Sequence, residues 1–149
     1  MVGGKTDIRT EINKNFGVFS DFQLEHGFYA DVLGLATVVL PTDWRKRLQS
    51  LLDENGEIVA YCAEIHDIAV SKLIAGREKD FRFLAVAFWL KIMSIDRFID
   101  RIRLVESMPQ NAVLIDRFEK LEKYMSGQKA ELKTLSAIRD YLRDLKGRD

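Results

Sequence analysis

A chain of 149 residues is most economically one domain, 1–149, with enough length to bury a core. A hydrophobic share of 47% and a charged share of 31% describe an ordinary globular composition, not a disordered or fibrous one. Lys plus Arg equals Asp plus Glu at 23 each, so no global field draws the chain onto nucleic acid or an anionic membrane, and any anion binding must be local.

The only cysteine, Cys62, excludes an intramolecular disulfide and fits a reducing compartment. Met1-Val2-Gly3-Gly4-Lys5 leads into polar sequence, not an apolar leader. The apolar run Phe83 to Leu90 is far too short to span a bilayer. These features predict a cytoplasmic protein with no membrane partner.

Residues 1–15 are polar and read as a loosely held terminus. Between Phe28 and Leu40, Val, Leu, Tyr and Thr predict a strand or bent hairpin, strongest over Ala36-Thr37-Val38-Val39-Leu40. Pro41-Thr42-Asp43 reads as a turn and helix start carrying Trp44-Arg45-Lys46-Arg47. Glu54-Asn55-Gly56 is a reverse turn, and Ile58 to Ile65, apolar on both faces, predicts a buried strand holding Cys62 as a packing residue.

Helices follow. Asp67 is placed to cap one that ends near Ala75, and Gly76 suits its C-terminal break. Phe81, Leu84, Ala85, Phe88, Trp89 and Ile92 mark the next helix at spacings of three and four. Ser94 and Asp96 start another with Phe98, Ile99, Ile102 and Val105, and Pro109 breaks the pattern. Leu114, Phe118, Leu121 and Met125 give a fourth helix; Leu132, Leu135, Ile138, Leu142 and Leu145 give the last. The fold class is α+β: a small, incomplete sheet within about residues 28–65, covered by helices, then a helical tail. The organisation falls into 16–93 and a helical part, 94–149.

Chemistry concentrates around Gly76. Lys72, Arg77 and Lys79 flank this break, with Asp67 and Asp80 as supporting acids. The free N–H groups of the following helix add a positive end, so the turn suits a phosphate or carboxylate. The structural alternative is a simple pair between Arg77 and Asp80, three residues apart. His26 and His66 have no ligand partners at metal-binding spacing, and His66 reads as a helix-start residue. Arg45, Lys46 and Arg47 read as a solvated basic face, so nucleic acid is not the expected main partner. Arg97, Arg101 and Arg103 read as surface ion pairs with Asp96, Asp100 and Glu106.

His66, Asp67-Ile68, Ser71-Lys72-Leu73, Ala75-Gly76-Arg77 and Lys79-Asp80-Phe81 together resemble a segment of the nucleotidyltransferase-like proteins of bacteria and archaea, related to abortive-infection-type nucleotidyltransferases. Ser20-Asp21-Phe22, Gly27-Phe28-Tyr29-Ala30-Asp31, Leu40-Pro41, Trp44 and Arg47-Leu48 agree with the same family, so the resemblance covers about residues 16–90. It implies Lys72, Arg77 and Lys79 as phosphate- or nucleotide-binding candidates and Asp31 as a remnant acid.

Nucleotidyl transfer of this kind also needs a Gly-Ser helix start and an Asp-x-Asp pair to hold magnesium. Thr6-Asp7-Ile8 echoes that run, but Arg9 stands where the second aspartate belongs. Glu78 and Asp80 are the only carboxylates spaced by two. The chain thus resembles a member lacking its N-terminal catalytic part, whether by truncation, an internal start or divergence. No catalytic residue, metal ligand or cofactor is assigned; magnesium and a nucleoside triphosphate enter only when another segment completes the site. The alternative is a non-enzymatic helical interaction or dimerisation protein, its tail seam forming a homodimer or docking a partner, or else packing back on the domain. By association with the fold, a toxin–antitoxin or phage-defence component is a further reading.

Overall fold

Apolar residues recurring every three or four positions leave the second half of the chain one regular way to hide them, and helices form there. In the computed structural model, which describes residues 7–30, 32, 34, 37–127 and 132–147, two compact units divide the chain, 1–38 and 39–149. The fold is α+β, a small two-stranded sheet flanked by helices with a helical C-terminal segment.

The first unit holds α1 (Ile8–Phe16) and α2 (Asp21–His26). The Asp7 carboxylate accepts the backbone N–H of Arg9, and the Ser20 hydroxyl accepts that of Gln23, so each helix has a polar cap. Phe22 organises the unit, with ring centroids 5.2 Å from Phe16 and 5.1 Å from Phe28, both edge-on.

The strand expected between Phe28 and Leu40 does not form where it can be described. Residues 28–30 and 38–40 carry no regular structure and Thr37 lies in a 3-10 turn, while residues 35 and 36 lie outside the described residues. Val39 instead packs against the helical core of the second unit, so burial against helices takes the place of strand pairing.

That second unit opens with Pro41, fully buried, and with Thr42, whose backbone N–H and hydroxyl both donate to the Leu104 carbonyl at 2.8 Å. A 3-10 helix, Trp44–Arg47, then leads into β1 (Gln49–Leu52). The Asp53 carboxylate accepts the N–H groups of Glu57 and Asn55 at 2.8 and 2.9 Å, closing the predicted turn. β2 (Ile58–Cys62) returns antiparallel, with Gln49 opposite Cys62 and Leu51 opposite Ala60. Leu52 then faces Ile58, which leaves Val59 as an extra residue, a bulge on β2. The buried strand predicted over 58–65 is a correction: β2 is shorter, and every residue of both strands is exposed, Cys62 included. An apolar strand is buried only where a second layer meets it.

Five helices complete the unit: α3 (Ile65–Ala75), α4 (Glu78–Trp89), α5 (Ile95–Arg103), α6 (Asn111–Gly127) and α7 (Leu132–Lys146). α3 packs on α4, α5 and α6, and α6 packs on α4 and α7. Glu64, not Asp67, caps α3, through the N–H of His66. Gly76 ends α3 with φ 62°, the left-handed conformation that a glycine break supplies at least cost. Leu135, Ile138, Tyr141, Leu142 and Leu145 of α7 are buried, so the tail seam from Leu135 onward packs back on the domain, while Leu132 at its start is 85% exposed.

Phe118 sits at the middle of this core, fully buried, with ring centroids 4.9 Å from Tyr141 and 6.4 Å from Phe98. Removing its ring leaves a void between α5, α6 and α7. Phe118→Ala is expected to cost about 3–5 kcal/mol, read from the shift in the urea unfolding midpoint at constant slope.

Candidate functional site

A carboxylate taken out of water must be paired or hydrogen-bonded, and Asp67 and Asp80 are both essentially fully buried. The cations around Gly76 arrange themselves about that demand. Asp80 lies in the first turn of α4, where its carboxylate accepts the backbone N–H of Arg77 at 3.2 Å and the Arg77 Nε at 2.7 Å. From the last turn of α3, Lys72 Nζ reaches the same carboxylate at 3.2 Å. The break at Gly76 is what lets a lysine ending one helix meet an acid opening the next. Burial alone raises the Asp80 pKa; hydrogen bonds from Arg77 and Lys72, with the Lys72 charge, outweigh it and hold the carboxyl below its ordinary value.

The other end of α3 has a parallel arrangement. Arg47 grips Asp67 with Nε at 2.8 Å and Nη2 at 3.0 Å, and Arg101 Nε from α5 lies 3.2 Å away. Arg47 Nη2 also donates to the Thr42 carbonyl at 2.9 Å, tying the strap before the hairpin to α3. Next to it, Glu64 accepts from His66 Nδ1 at 2.6 Å, while His66 Nε2 accepts the N–H of Ser94 at 2.9 Å. That acceptor role places the imidazole proton on Nδ1. For Glu64, burial raises the pKa, but the hydrogen bonds from His66 and the nearby Arg101 charge bring it below the ordinary value.

The structure therefore brings Lys72, Arg77 and Asp80 together, as the three-residue spacing of the latter two allowed. Lys79 stays outside that cluster, exposed, with no ion pair among the described residues. Asp67 belongs to the opposite end of α3. Asp31 lies outside the described residues. Sequence reasoning missed Arg47 and Arg101, which looked like solvated charges, and it read His66 as a plain helix-start residue. Arg103 does make the expected surface pair with Asp100, at 3.1 Å.

Outside the buried pair, Arg77, Glu78, Lys79 and Arg82 line a shallow concavity of about 370 Å³, in which Arg82 pairs with Glu78. A larger cleft of about 600 Å³ lies between α4 and α6, lined by Gly76, Glu78, Phe81, Lys120, Lys123, Tyr124 and Gly127. Glu78 is exposed and Asp80 buried, so these two carboxylates face different surroundings and cannot share an ion. Among the described residues, no three His, Cys, Asp or Glu side chains gather closely enough to hold a metal. Among them, too, no helix is long and apolar enough to cross a membrane.

Residues 20–129 match the model of a protein family described as nucleotidyltransferase of unknown function (DUF6036). No curated protein and no solved structure matches the chain. The family match spans most of the sequence, and the chain belongs to that family.

The two buried acids differ in how far their partners can turn to water. The Arg47 and Arg101 side chains are 19% and 25% exposed, whereas those of Lys72 and Arg77 are 33% and 59% exposed. Asp67→Asn is therefore expected to cost more, about 3–5 kcal/mol, than Asp80→Asn at about 1–3 kcal/mol, both read by urea unfolding near pH 7. The lowered folded pKa of Asp80 gives a stabilisation that is present above its unfolded value of about 3.9 and lost as pH falls through the folded value. Stability should drop below about pH 4 more steeply in the parent chain than in Asp80→Asn; parallel acid profiles would contradict this.

Proposed function

We propose that this member of the DUF6036 nucleotidyltransferase family binds the phosphates of a nucleoside triphosphate at the start of α4 and does not transfer nucleotide by itself. The observation that carries the reading is the concavity of Arg77, Lys79 and Arg82, three cations with a single acid among them, in a chain of that family. Arg77 stands at the N-cap of α4, so its side chain adds to the positive end of the helix. Of these three cations Lys79 alone has no ion pair among the described residues, and it is the residue assigned the main phosphate contact. Lys72 supports the site indirectly, by sharing with Arg77 the charge of Asp80.

Magnesium-assisted transfer requires carboxylates that converge on the ion and neutralise the triphosphate during in-line attack. The residues described do not fit that ion: Asp80 is taken up by Lys72 and Arg77, Glu78 by Arg82, and Asp67 by Arg47 and Arg101. The geometry favours binding and orientation of phosphate over metal chemistry. Carboxylates for transfer would then come from a segment outside this constellation or from another protein.

Isothermal titration of the full chain with each of the common nucleoside triphosphates, with EDTA and with magnesium, tests the proposal. Binding that weakens about tenfold in Lys79→Ala and declines with added salt is expected for a contact of this exposed electrostatic kind. No heat from any nucleotide would overturn the binding reading. Transfer of labelled nucleotide by the purified chain with magnesium would overturn the claim that it is inactive alone.

A further inference from the structure

The hairpin of β1 and β2 is the least satisfied part of the second unit. Leu51, Leu52, Ile58, Val59 and Tyr61 are each more than half exposed, between 52% and 64%. A two-stranded hairpin is marginal in water, and three or more strands or a packed face are ordinarily needed. Both strands have their outer edges unpaired among the described residues, because the sheet contains β1 and β2 alone.

The two edges are not equivalent. β2 carries the bulge at Val59, a device that breaks the regular row of N–H and C=O groups. β1, Gln49-Ser50-Leu51-Leu52, is regular and has no charge or proline to guard it. Charge separates along the same direction. The turn end bears Asp53, Glu54 and Glu57, and the opposite end bears exposed Arg45 and Lys46 on the 3-10 helix, with Lys46 also 3.0 Å from the exposed carboxylate of Asp43. The Asp53 carboxylate is held by the N–H groups of Glu57 and Asn55, which fixes one of those negative charges in place.

We infer that β1 pairs antiparallel with β1 of a second copy of this chain, turning two hairpins into one four-stranded sheet. A two-fold axis between Ser50 and Leu51 lays the acidic turn of each copy beside the basic 3-10 end of the other. Pairing through β2 would do the reverse, bringing Glu57 toward Glu64 of the second copy, a like-charge approach in addition to the bulge. Charge layout and strand regularity thus select the same edge. This surface is independent of the phosphate concavity at α4, and it replaces the α7 seam, which the core has already used.

Sedimentation equilibrium of the full chain over a range of concentrations reads the association directly. A dimer is expected, weakened at least about tenfold by Leu51→Lys, which puts an ammonium at the centre of the joined sheet. Lys46→Glu alone and Glu54→Lys alone should each weaken it several-fold, while the double reversal restores it, and all variants should keep the helical circular dichroism of the parent. A chain that stays monomeric throughout overturns the inference, as does a dimer indifferent to Leu51→Lys or one that the double reversal fails to restore. Nucleotide binding measured on the same variants should be unchanged, so failure here is distinguishable from failure of the phosphate reading.

Discussion

Helix α3 is fastened at both ends by an acid that water cannot reach. At its start Asp67 draws Arg47 from the strap before the hairpin and Arg101 from α5; at its finish Lys72 crosses the Gly76 break to Asp80 of α4. Neither arrangement is stabilising merely because charges meet, since desolvating them is costly. Their effect is on placement. A buried carboxylate with two cationic partners tolerates few alternative geometries, so these contacts fix α3, α4, α5 and the hairpin's entry relative to one another. The apolar core around Phe98, Phe118 and Ile138 fills the space between the helices.

The same economy explains how a chain with no net charge can present a basic surface. Acids are drawn inward at Asp67 and Asp80, and some of their partners retain exposed portions, so the region outside α4 is cationic without any global excess. Membership of the nucleotidyltransferase family gives that surface an obvious chemical context. Among the described residues, the acids close to those cations are each paired with one of them: Asp80 with Lys72 and Arg77, and Glu78 with Arg82.

How much of this the residues announced depends on the range of the interaction concerned. Helices α4 to α7 were legible because their apolar spacing is local, and so were the Glu54-Asn55-Gly56 turn and the Gly76 break. The pairing of Arg77 with Asp80 was legible as one of two readings, being a contact within a single helical turn. Arg47 with Asp67, twenty residues apart, and Arg101 with Asp67, farther still, left no local trace. The one local signal is an Asp near the start of a largely apolar helix, and that position suits a cap equally well. The strand expected near Val38-Val39-Leu40 failed for a related reason: β-branched residues favour any half-buried surface, and here helices provided it.

Arg77 serves two masters. Its guanidinium already satisfies Asp80, and it also lines the outer concavity, so an anion arriving from solvent competes with an internal one for the same donors. Occupancy there would loosen the hold on Asp80 and make protonation of that acid easier, linking ligand uptake to proton uptake through a shared guanidinium. Lys79, with no ion pair among the described residues, is exempt from that trade. A polyanion seated mainly on Lys79 would leave the α3–α4 junction undisturbed, whereas one drawn deeper would reach the interior of the molecule through a single side chain.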